Sequence, residues 1–200
     1  MLNRRTRQEF LKLTSVAGLS FFLGNQKTSL GQKALAALPD ATKNHPKKAT
    51  NMLAAENTRQ ANEQVIRDFL RLLSEKNMDA WIELWTEDAV QDMPFSPAGF
   101  PLRVEGREAI RKHYSNLPNT VGRMVFPDLV IYPMVDPNWV LAEYRGEIEV
   151  LATGRPYNNR YCGLFQLREG RIALFREYYN PIVFTEAFGD PSKNFGVTNP

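Results

Sequence analysis

Between Trp139 and Tyr179 apolar residues recur at every second position, through three successive runs separated by turn residues. In the first run, Trp139–Val150, the even positions Val140, Ala142, Tyr144, Ile148 and Val150 are mostly apolar, and Gly146 permits a bend. Its odd positions include Glu143, Arg145, Glu147 and Glu149. The second run, Tyr157–Arg168, places Tyr157, Tyr161, Phe165 and Leu167 on one face. Glu169-Gly170 then makes a tight hairpin into the third run, Arg171–Pro181. Long antiparallel strands with one apolar face need cover on that face, which limits the chain to a sheet packed by whatever precedes it.

What precedes is helical. Asn57-Thr58-Arg59-Gln60 has the form of a helix start, with Asn57 as cap. Val65, Ile66, Phe69, Leu70, Leu72 and Leu73 follow on one stripe, ending near Lys76-Asn77. Asp79 can cap a short second helix that offers Trp81, Leu84 and Trp85 to the interior. Ala89–Met93 reads as a first strand, and the proline-rich segment 94–101 as irregular. A third helix after Gly106 carries Ile110, His113 and Tyr114 on one side. Helices first and strands afterwards is an α+β order. Three helices cannot hide both faces of such a sheet, so the expected fold is a curved antiparallel sheet wrapped around the N-terminal helices as a cone with an open mouth. Its outer face is free for a partner.

The 200-residue chain has a net charge of +3, but residues 1–36 contain six Lys/Arg and one acid. The remainder is slightly acidic and offers no bulk electrostatic case for nucleic acid. One cysteine, Cys162, and two histidines, His45 and His113, give no disulfide framework and no multi-histidine or cysteine-rich metal site. Cys162 reads as a small hydrophobe, and His45, ahead of Pro46, has no assigned role. Gly-rich phosphate loops, nucleophile elbows and dinucleotide fingerprints are absent, so no cofactor is expected.

The N-terminus is basic and leads into an uncharged stretch, Leu13–Gln26, which is too short to span a bilayer. With Ala34-Leu35-Ala36 as a small–x–small cleavage site, residues 1–36 have the layout of a signal peptide. Arg7-Gln8-Glu9-Phe10-Leu11-Lys12 resembles a degenerate twin-arginine signal, with Gln8 where the second arginine belongs. Export to the periplasm or the extracellular space is the expectation, against a cytoplasmic protein with an N-terminal extension. Residues 37–55 read as a tether, 56–188 as the folded domain and 189–200 as a tail.

One residue breaks the apolar face of the third run. Ala173, Phe175, Glu177 and Tyr179 share a side, opposite Ile172, Leu174, Arg176 and Tyr178. A carboxylate among phenyl and phenol rings loses hydration, and its pKa rises toward the range useful for proton transfer. Glu177 is therefore the candidate acid/base, unless an arginine at a strand end pairs with it. His113, three residues after Ile110 and four before Leu117, should face the interior, either as a core histidine or as a second acid/base group. Tyr144, Tyr161, Tyr178 and Tyr179 are candidate phenolic donors to an enolate oxygen, or else packing. Trp81 and Trp85, one helical turn apart, close the narrow end of the cone as core or as an aromatic pocket wall.

Trp85-Thr86-Glu87-Asp88-Ala89-Val90, Gly106-Arg107-Glu108-Ala109-Ile110, Gly170-Arg171-Ile172 and Arg176-Glu177-Tyr178 together resemble the SnoaL-like branch of the nuclear-transport-factor-two-like superfamily. Phe126-Pro127-Asp128, Asp136-Pro137-Asn138, Glu143–Gly146 and Arg176–Pro181 bring the chain nearest to the phenazine-biosynthesis A/B proteins. The resemblance covers about Asn57 to Phe188. It implies a cystatin-like cone, commonly a homodimer through the outer sheet face, with a pocket that hosts isomerases, cyclases and non-catalytic binders. The phenazine A/B proteins are reported to promote condensation of two amino-ketone rings. Their acid/base glutamate falls on Glu177 and their histidine on His113, whereas a serine one turn beyond falls on Leu117. Three functions compete: a cofactor-independent acid/base enzyme acting on a small cyclic ketone, a non-catalytic domain binding a small apolar molecule, and an oligomerisation or scaffold domain whose cavity is filled. The first needs Glu177 to face a reachable pocket. The second tolerates an inert, paired Glu177.

Overall fold

Helix α1 (His45–Ser74) begins the part of the chain that the computed structural model describes, residues 45–189. The signal-peptide reading of residues 1–36, the tether as far as residue 44 and the tail from residue 190 lie outside the described residues. The helix begins twelve residues before Asn57, so Asn57 is a mid-helix residue and the segment from His45 on is helical rather than a tether. Alanine and lysine there support a helix by propensity alone, with no apolar period to announce it. The stripe Ile66, Phe69, Leu70, Leu72 and Leu73 is buried, as its spacing requires.

A short helix α2 (Met78–Ile82) follows, capped by Asn77, whose side chain accepts from the Ala80 amide, and not by Asp79. The chain then turns into β1 (Trp85–Asp92), so Trp85 opens a strand rather than sharing a helix with Trp81. After β2 (Arg103–Glu105) come α3 (Arg107–Tyr114) and a single turn α4 (Leu117–Thr120). The remaining strands are β3 (Val121–Val125), β4 (Val130–Pro133), β5 (Trp139–Val150), β6 (Arg155–Arg168) and β7 (Arg171–Tyr179). A last helix, α5 (Pro181–Phe188), is capped by Asn180 with Pro181 in its first turn.

The seven strands form one curved, unclosed sheet in the order β2-β1-β7-β6-β5-β3, with β4 also paired to β5. All pairs are antiparallel except β1 with β7, which run parallel, so the sheet is mixed. The concave face carries the odd residues of β6 and the even residues of β5, matching the alternation. A bulge shifts the register between β6 and β7. Phe175 faces Phe165, Glu177 faces Gly163 and Tyr179 faces Tyr161, whereas Leu167 faces Ile172. The extra residue reverses the side-chain parity, so Ile172 is fully buried rather than on the outer face.

The core is aromatic at its centre. Phe69 of α1 lies 5.3 Å from Trp81, 5.5 Å from Phe165 and 5.1 Å from Phe175, centroid to centroid. Phe165 and Phe175 stack at 4.4 Å. Each such pair adds about 0.5–1.5 kcal/mol beyond the area it buries. Their stack sits over Gly163, where a Cβ would come within 2.8 Å of Phe165 and 3.0 Å of Phe175. Replacing Gly163 with alanine must therefore push the two rings off their stack. Urea unfolding should show a loss of about 1–3 kcal/mol, the ordinary cost of overpacking a filled core.

Candidate active site

Where the helices stop covering the sheet, the concave face opens into a cavity of about 330 Å³. This lies at the small end of the range for ligand pockets. β7 places Glu177 and Tyr179 on its wall, β5 contributes Tyr144, β6 contributes Tyr157 and Tyr161, and α3 contributes His113 and Tyr114. Helix α5 closes one side with Phe184 and Phe188. It is held there by Asn159, a buried residue of β6, which donates to the Asn180 carbonyl at 2.9 Å and accepts from the Asn180 amide at 3.2 Å. The alternation of the strands does not reveal α5. Its signal is the Asn180-Pro181 pair, a cap followed by a first-turn proline.

Glu177 has one hydrogen bond, accepted from the Tyr144 hydroxyl at 3.3 Å, and among the described residues it has no ion-pair partner. The arginine beside it, Arg176, points to the other face and pairs with Asp92 at 2.7 Å. Burial pushes the Glu177 carboxyl up to about 7, and the Tyr144 hydrogen bond opposes this only in part. The phenols of Tyr114, Tyr144, Tyr157 and Tyr161 are all pushed up, mainly by burial and further by the nearby Glu177 charge. They are neutral donors at any physiological pH. Tyr144 and Tyr161 stack at 5.1 Å over Gly146, where a Cβ would lie 2.9 Å from the Tyr161 ring. The space, more than any bend, explains the glycine.

His113 does not face the interior. Its side chain is exposed at the cavity mouth, edge-on to Tyr114 at 5.0 Å, and the protein crowding it lowers its pKa below 6.5. The reason is the end of α3: the residue that turns inward from its last turn is Tyr114, which meets Trp81 at 4.7 Å. Trp81 and Trp85 are wholly buried against Phe69 and do not reach the cavity, so they are core and not a pocket wall. Tyr178 points away and meets Phe95 at 5.8 Å. Cys162 is half-buried on that same outer side, and burial pushes its thiol up. Among the described residues no cluster of three His, Cys, Asp or Glu side chains could hold a metal ion. None of their helices is long and apolar enough to cross a membrane.

The profile described as the SnoaL-like domain matches residues 66–175. The chain belongs to the SnoaL-like domain family. The uncharacterized protein YesE of Bacillus subtilis is 38% identical over 126 residues, which is 63% of this chain and 86% of that protein. The phenazine biosynthesis protein PhzB of Pseudomonas fluorescens is 24% identical, covering 77% of this chain and 93% of that one. Among solved structures, an isomerase candidate from Bacillus subtilis superposes with a TM-score of 0.63 at 36% identity, over 66% of this chain and 95% of that one. The phenazine biosynthesis-related protein of Pseudomonas aeruginosa shares the fold with a TM-score of 0.58 at 18% identity, over 74% and 94% of the two chains. In this SnoaL-like domain the nuclear-transport-factor-two-like architecture leaves a pocket inside the sheet.

The sheltered carboxyl has a thermodynamic signature. Folded, Glu177 keeps its proton up to about pH 7; its ordinary value is 4.5. The folded state therefore has its full advantage from this group below pH 4.5 and loses it as the pH rises through 7. Glu177→Gln should match the wild type in denaturant midpoint at about pH 4. At about pH 8 it should be more stable by about 3 kcal/mol, a tenfold change in proton affinity being worth about 1.36 kcal/mol.

Proposed function

We propose that this protein is a cofactor-independent acid/base enzyme acting on a small, uncharged cyclic ketone. The supporting observation is Glu177: a carboxyl set in a cavity wall, with no ion-pair partner among the described residues and with a pKa of about 7. A base of that strength can remove a proton from carbon next to a carbonyl and still be half ionised near neutrality. The C–H electron pair becomes the new C=C bond, and the carbonyl π pair moves onto oxygen. Return of the proton from Glu177 to another carbon gives isomerisation, and capture of the enolate by a second carbonyl gives cyclisation or condensation. The cavity interior is apolar and phenolic, with Lys112 and His113 at its mouth, which favours a neutral ring system inside. His113, neutral above its lowered pKa, is placed to orient the substrate at the entrance.

Names borne by relatives agree with this class of chemistry: phenazine biosynthesis proteins, an isomerase candidate and a candidate polyketide cyclase from Xanthomonas campestris. The basic and then uncharged leader supports export of the enzyme. Mass spectrometry of protein recovered outside the cytoplasm should find a mature chain beginning near residue 37.

Proton abstraction can be tested without knowing the natural substrate. In deuterium oxide, the protein should speed exchange of the α-protons of 2-tetralone, followed by NMR. Glu177→Gln should lose at least about a hundredfold of that rate. The rate should rise with pH through about 7. Tyr144→Phe should move this limb upward, because the hydrogen bond it removes lowers the Glu177 pKa. Tight binding of 2-tetralone with no exchange would instead identify a non-catalytic binder.

A further inference from the structure

An enolate needs a donor at its oxygen, and the donor must not already be engaged by the base. Tyr144 is engaged, since its hydroxyl is given to Glu177. Tyr179 shares its hydroxyl with Ser96 at 3.1 Å. Tyr157 accepts from Asn159 at 3.1 Å, on the side where α5 closes the cavity, and its hydroxyl is also paired with that of Tyr161.

Tyr114 is different. It descends into the cavity from α3, across from the sheet that carries Glu177. Its oxygen accepts a 2.5 Å hydrogen bond from Nε2 of Gln91, a residue of β1 with no exposed surface. The Gln91 amide also points Nε2 at Met93 Sδ, 3.5 Å away, while its Oε1 is buried without a partner among the described residues. An amide set this way donates to the phenol and takes nothing from it. The Tyr114 proton is then left to be given to whatever occupies the cavity. Gln91 lies opposite Phe175 in the β1–β7 pairing, two residues before Glu177, so base and donor are anchored on neighbouring strands.

Building on the acid/base function above, we propose that Tyr114 donates the hydrogen bond that holds the substrate's enolate oxygen, and that Gln91 is the residue positioning it. The proton removed by Glu177 stays on Glu177 while the oxygen charge is held, so no further reactant is required. Burial disfavours a tyrosinate at position 114, and before proton transfer the Glu177 charge disfavours it further; burial alone keeps the donor protonated once Glu177 has taken the proton.

The test uses 2-naphthol, whose ionised form imitates an enolate, and the Glu177→Gln protein, whose amide imitates the protonated base. The bound naphtholate is read by its absorbance and by titration. In that background, adding Tyr114→Phe should weaken naphtholate binding about ten- to a hundredfold, as for loss of a hydrogen bond to a charged acceptor. It should also shift the bound absorbance toward that of free naphtholate. Gln91→Met keeps the hydroxyl but removes its anchor, and should weaken binding several-fold with a smaller spectral shift. Tyr178→Phe, on the outer face, should change neither. Equal naphtholate affinity and spectrum with and without the Tyr114 hydroxyl would overturn the assignment while leaving the Glu177 exchange experiment intact. That is the result expected if the Gln91 amide is reversed and takes the phenol proton for itself. Naphtholate binding by none of these proteins would overturn both the donor and the cavity function.

Discussion

A sheet that curves this strongly has more concave surface than the helices inside it can cover. Near the aromatic centre the deficit is met: Phe69, Trp81, Phe165 and Phe175 fill the space between α1 and the strands. Farther along β5, β6 and β7 it is not met, because α3 ends at Tyr114 and α5 covers only one side. The cavity is what remains. Its walls are the same alternating faces that form the core one or two residues away, so the site extends the core without needing a separate loop scaffold.

Within such a space, charge decides the chemistry. Burying an acid beside an arginine would leave a stable, unreactive carboxylate. Here the strand's alternation sends Arg176 outward to Asp92 and leaves Glu177 with a single phenol. Neutral donors surround the acid, which can therefore hold or release a proton near neutral pH without a compensating cation.

Much of this is legible in the sequence alone, because strand alternation is a strict rule. The faces of β5 and β6, the isolation of Glu177 on an apolar face and the outward turn of Tyr178 all follow from a period of two. The departures have local causes. The bulge at Ala173 reverses parity and buries Ile172, and nothing in RIALF signals an extra residue. Helical spacing allows either His113 or Tyr114 to follow Ile110 inward, and it is Tyr114, four residues on, that goes inside while His113 stays at the cavity mouth. The helical spacing of Trp81 and Trp85 is a coincidence, since the helix stops at Ile82. Gln91 carries no functional signal in the sequence: a lone amide in a strand becomes notable only when its oxygen is found buried and its nitrogen aimed at a phenol.

The parallel pairing of β1 with β7 joins the first strand of the sheet to the last. Until β7 is in place, β1 has only the three-residue β2 along one edge and nothing along the other. The final strand brings both the hydrogen bonds that seal this seam and the acid on which the proposed chemistry turns. Attachment of β1 to the rest of the sheet and acquisition of the acid are thus a single event in assembly, and a chain without β7 has neither a finished cavity wall nor the acid.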